Sequence, residues 1–90
     1  MTSWHVMNLG DAMMADDDLV DVKRRFDRLY RQRGRPPGMA LYVRHVSEGR
    51  LHCDVIVYFS PGAKAVAEEI GADPCPPPNT EALGLLAGAG

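Results

Sequence analysis

Leu19, Val22, Phe26, Leu29 and Tyr30 recur in helical steps. This spacing predicts an amphipathic helix from Asp16 or Asp17 to Arg33, with Gly34 as its stop. Asp16, Asp17 and Asp18 crowd its start, where carboxylates cap free N–H groups, and bases gather toward its end. Upstream, residues 3 to 9, SWHVMNL, read as a short strand followed by a loop at Gly10-Asp11. Downstream, GRPPG breaks the helix and leads into MALYVRHV, residues 39 to 46, and LHCDVIVYF, residues 51 to 59. Both runs are β-branched and aromatic, and Glu48-Gly49 between them predicts an antiparallel hairpin.

Ser60-Pro61 then reads as an N-cap and first turn. The helix that follows turns Ala63, Val66, Ala67 and Ile70 inward and stops at Gly71. Residues 72 to 90 form a Pro/Gly-rich C-terminal segment, first a turn or extended linker. Its end, EALGLLAGAG, is compatible with a short strand, a turn of helix or a frayed tail. The order is β-α-β-β-α with room for a last β. Joining strands by a hairpin excludes an all-parallel sheet. The expected fold is therefore one α+β domain over residues 1–90, a ferredoxin-like split β-α-β with helices on one face. In that arrangement the first strand is expected to run parallel to the third.

Pairing Val46 with Leu51 sorts the hairpin into two faces. Ala40, Tyr42, Arg44 and Val46 with Leu51, Cys53, Val55 and Val57 make the expected helix-covered face. Met39, Leu41, Val43, Ile56 and Tyr58 fall on the other, as an open apolar patch through which a small domain would self-associate. Homodimerisation, or binding of another protein, is the expected use of that patch. The alternative is that the C-terminal segment folds back and covers it.

Composition changes this picture little. The chain is 46% hydrophobic and 24% charged, as soluble globular domains are, and its net charge of −2 draws it to neither nucleic acid nor membrane as a whole. No apolar run approaches a membrane span, and the N-terminus lacks a signal-peptide pattern, so a cytoplasmic protein with no membrane partner is expected. Cys53 and Cys75 form no CxxC motif. Cys53 reads as a buried small hydrophobe and Cys75, within DPCPPP, as an exposed thiol with no base near it.

The candidate chemistry lies in RHVSEGRLHCD, residues 44 to 54. The expected register sets His45 opposite His52, with Asp54 two residues on along the same face. With the first strand parallel to the third, His5 joins them if Trp4 and Val6 point inward. Such a set would suit Zn²⁺ or another divalent transition metal, or a His-Asp acid/base pair. The inward set His5, Met7 and Leu9 is the alternative, and no HExxH or HxxxH pattern reinforces a metal site.

A second surface is KRRFDRLYRQRGR, residues 23 to 35, with seven of the ten basic residues and one acid, Asp27. Arg24, Arg28 and Arg31 line one side of the helix as a phosphate-tracking stripe would, with Tyr30 near for stacking. Ion pairs from Asp21 to Arg25 and Asp27 to Arg31 and the helix dipole explain the same pattern without a ligand. NLGDAMMADD lacks a phosphate-loop signature, and Met13 and Met14 read as filler under the helix. YFSPG is not the nucleophile elbow, which leaves Ser60 a cap. The sequence thus describes a binding or assembly module. An enzyme or metal protein built on the histidines is the alternative, and a nucleic-acid binder built on the arginines the second.

Overall fold

The computed structural model describes residues 3–13, 16–45 and 52–88. It is a small α+β fold with five strands and two helices: β1 Trp4–Met13, α1 Asp16–Gln32, β2 Met39–His45, β3 His52–Phe59, α2 Lys64–Ile70, β4 Asp73–Cys75 and β5 Gly84–Gly88. The strands make one sheet in the order β4-β1-β3-β2-β5, and every pairing is antiparallel. No helix among the described residues is long and apolar enough to cross a membrane. The Glu48-Gly49 turn, with Val46 and Leu51 beside it, lies outside the described residues, as does Met14. So do the side chains of Met13, Asp16, Asp17, Asp18, His45 and His52.

Three expectations change. First, β1 runs antiparallel to β3, not parallel. The α1 crossover leaves β1 and β2 parallel with a strand-wide gap, and β3, arriving by hairpin from β2, fills it and opposes both. Second, the C-terminal segment supplies two strands at opposite edges, β4 on β1 and β5 on β2, so the order differs from a four-strand split β-α-β sheet. Third, β1 does not stop at Gly10. It continues to Met13 through a bulge between Asn8 and Gly10, where the Asn8 side chain accepts the Gly10 N–H at 2.7 Å.

The hairpin register also differs by one residue. Val43 stands opposite Val55, Arg44 opposite Asp54 and His45 opposite Cys53. A one-residue shift moves a strand's whole set to the other face. The observed register gathers Met39, Leu41 and Val43 with Cys53, Val55, Val57 and Phe59, all buried beneath α1 and α2. Val22 and Phe26 of α1 and Ala67 of α2 meet them, with Leu19, Leu29, Val66 and Ile70 at the margin. The expected register would have set Val43 against Asp54 and Arg44 against Cys53. The observed one unites the apolar residues and lets Arg44 reach Asp54 at 2.8 Å.

Local signals set the remaining boundaries. α1 ends where Gly34 (φ 81°) and Arg35 (φ 53°) turn left-handed, and the Arg35 N–H returns to the Tyr30 carbonyl at 2.8 Å. A 3-10 turn, Pro61–Ala63, precedes α2, and the Ser60 side chain makes no capping bond. Ser60 instead ties its N–H to the Gly38 carbonyl at 2.9 Å.

This register makes Leu41 a core residue, although the expected interface contained it. Leu41→Asp should destabilise the fold by about 4 kcal/mol or more, because it places a carboxylate where no water reaches. Urea unfolding with size-exclusion chromatography checks this. A variant of native stability but half the native mass would return Leu41 to a subunit interface.

Candidate functional site

The expected metal cluster does not assemble. His45 pairs with Cys53, and His52 pairs with Met13 on its other side. His5 lies opposite Phe59, seven residues along β3 from His52 and so about 23 Å away. Its neighbours are the inward set: His5 is buried, and Met7 and Leu9 pack on the core. Asp54 is engaged by Arg44. Among the described residues no group of three or more His, Cys, Asp or Glu could hold a metal ion.

The apolar patch expected to self-associate does not assemble either. Met39, Leu41 and Val43 face the helices, and of the five residues only Ile56 and Tyr58 belong to the helix-free face, with Ile56 itself buried. β4 and β5 lie at opposite edges of the sheet. β4 ends at the sheet end where β1 begins, while β5 begins beside Val43, four strand spacings away, about 19 Å across. Residues 76–83, which include a 3-10 turn at Thr80–Ala82, connect the two edges. Both helices lie on the opposite face of the sheet. Pro78 and Leu83 of the connecting segment are half-buried, and on the helix-free face Tyr42 and Ile56 are only 7% and 5% exposed.

One end of the helix-free face is open. There Trp4 of β1, Tyr42 of β2 and Tyr58 of β3 line a groove of about 360 Å³ with Pro37, Gly38, Ala40, Ser60 and Gly62. The two tyrosine rings meet edge to face, centroids 5.8 Å apart and planes at 66°. Among the described residues no charged side chain lines it. Gly38 is required at the rim: its φ is +89°, and an added Cβ would collide with the Ser60 hydroxyl. Tyr42 was expected in the helix-covered core, and Trp4 there in one of the two facings weighed for β1, so the groove was missed. The signal that could have found it was the charge pair, since setting Arg44 against Asp54 forces Tyr42 and Tyr58 onto one face.

The arginine stripe forms as expected. Arg24, Arg28 and Arg31 are exposed along the outer side of α1. Asp27 pairs with Arg31 at 3.1 Å. Arg25 instead reaches the Leu9 carbonyl at 3.4 Å, beside the β1 bulge. Tyr30 is no stacking platform: it is half-buried and stacked on Phe26, centroids 5.5 Å apart.

The two cysteines are not joined in a disulfide; Cys53 is buried and Cys75 is half-buried at β4 opposite Trp4. Burial pushes the Cys75 thiol above its ordinary pKa, which opposes a reactive role.

No family model matches the chain, and neither a curated protein nor a solved structure is found to be similar to it.

Two outcomes follow from these placements. The Nδ1 of His5 is buried without a hydrogen-bond partner, which costs stability. His5→Leu should therefore raise stability by about 1 kcal/mol in urea unfolding. A loss of similar size would show that the imidazole serves the fold. Because its thiol is raised, Cys75 should react with iodoacetamide more slowly at neutral pH than a free cysteine does, and faster as pH climbs. Cys53 should react only on unfolding, which mass spectrometry of the alkylated sites distinguishes.

Proposed function

We propose that the protein is a small binding module whose working site is the Trp4, Tyr42 and Tyr58 groove, and that its ligand is a short proline-rich segment in an extended, polyproline II conformation. The observation that carries this reading is the convergence of three aromatic rings from three strands, with Pro37, on a groove without charge. Such segments keep a preformed shape and seat proline rings against aromatic walls, so little entropy is lost on docking. Their carbonyls have no internal partners. The indole N–H, the two phenols and the Ser60 hydroxyl are the donors the lining offers them. Strongly charged ligands are disfavoured, since nothing in the lining neutralises them. The sheet supports reading the fold as a ferredoxin-like variant, because β3 lies between β1 and β2 with β4 beyond β1, and β5 is then an added edge strand.

Trp4 is the only tryptophan, so its fluorescence reports on the groove directly. A decaproline peptide should shift Trp4 emission saturably, while an Ala/Ser-rich peptide of equal length should not. Tyr58→Ala should weaken binding about tenfold, or about 1.4 kcal/mol. The proposal fails if decaproline leaves the emission unchanged at millimolar concentration, or if Tyr58→Ala, still folded by circular dichroism, binds as the native protein does.

A further inference from the structure

We infer that the outer side of α1 is a docking surface for the phosphodiester backbone of single-stranded nucleic acid, independent of the aromatic groove. Charge is strongly segregated in this chain. Residues 23–35 carry seven of the ten bases and one of the twelve acids, so the rest of the molecule is acidic while this segment is intensely basic. All seven bases are exposed. Arg24 and Arg28 border two adjoining depressions of about 440 and 390 Å³, which together form a trough along the helix. Asp21 and Arg25 complete one, and Asp27, Arg31 and Gln32 the other.

Among the described residues, Arg24 and Arg28 have no ion-pair partner, whereas Arg31 is held by Asp27 and Arg33 reaches Glu69 at 3.6 Å. Two guanidinium groups stand ready in the middle of the trough. Arg24, Arg28 and Arg31 rise in steps of about 6 and 4.5 Å along the axis, a linear array suited to a linear polyanion. Six of the seven bases are arginine, whose planar fork matches phosphate oxygens better than an ammonium does.

The same helix argues against a lipid surface. Its apolar stripe is turned into the core, leaving only Val20, 43% exposed, among its large apolar residues. Nothing inserts beside the arginines, and the acidic first turns would repel an anionic plane. The charge complementarity is therefore to a strand that tracks the trough, with sequence-independent contacts.

The test is fluorescence anisotropy of a labelled 20-nucleotide single strand, as DNA and as RNA, with the full chain. Three phosphate contacts predict a salt slope near 2, so affinity should fall roughly 15-fold from 50 to 200 mM salt. Arg24→Gln with Arg28→Gln should lower affinity at least tenfold, and Trp4 emission should not report the binding. Asp27→Asn, which removes the acid that holds Arg31, should raise affinity, a gain that misfolding could not mimic. No binding at 50 mM salt overturns the inference. So does equal binding by the double variant or an unchanged affinity in Asp27→Asn. Stronger binding to poly-glutamate or to phosphatidylserine vesicles than to the oligonucleotide also overturns it, in favour of an acidic peptide or a lipid.

Discussion

Val43 opposite Val55 is the pairing on which the rest of the molecule depends. It assigns every side chain of β2 and β3 to a face, since neighbours along a strand alternate. With it, Met39, Leu41, Val57 and Phe59 close against Val22 and Phe26 at 0–2% exposure. The same pairing leaves Arg44 and Asp54 directly opposed on the other face, where the arginine is half exposed and its ion pair contributes little to stability. The pair acts chiefly as a register marker, because a slip by one residue would bring Asp54 into the core. Hydrophobic burial and charge placement therefore select the same alignment, and the aromatic groove is its by-product on the reverse side.

His5 is where that consistency breaks. It occupies an inward position on β1, between the Phe59 and Pro74 pairings, and its Nδ1 finds no partner there. Its position is dictated by Trp4 on one side and Val6 on the other, which face the helix-free side of the sheet. Alternation gives the strand no way to present Trp4 to the groove without turning His5 inward. A polar group in the core accompanies an aromatic one at the groove.

The helices and the hairpin strands were legible in the chain because period and punctuation are local. The α1 stripe, the Gly34 and Gly71 stops and the two β-rich runs each declare themselves within a few residues. Register and strand direction were not, because they depend on residues far apart. An even-length turn about Glu48-Gly49 looked sufficient, yet the stretch between His45 and Cys53 is one residue longer, and that single residue reversed a strand's facing. It also dissolved the histidine pair and removed the expected dimer patch. β4 was illegible, and β5 was legible only as one of three readings, for a different reason: Asp73–Cys75 holds a proline, and GLLAG is mostly small residues. Neither has strand propensity of its own, and each becomes a strand by pairing with an edge. The arginine stripe was fully legible, since helical periodicity alone places it.

The groove and the arginine trough lie on opposite sides of one thin sheet, so one small ligand cannot touch both. What joins them is backbone. Gly88 of β5 pairs with Ala40, which floors the groove. An added Cβ there would stand 2.5 Å from the Met39 carbonyl, 2.8 Å from Ala40 Cα and 3.2 Å from the ring of Phe26. With φ at +97°, only glycine fits this joint without strain. Phe26 is in turn the residue through which α1 seats on the sheet, stacked on Tyr30. The last strand thus locks the helix that carries the arginines to the strand that carries Tyr42, and both surfaces are held on one rigid support. The C-terminal segment is therefore structural: it adds a strand at each edge of the sheet, and its final strand closes the contact between the two sides.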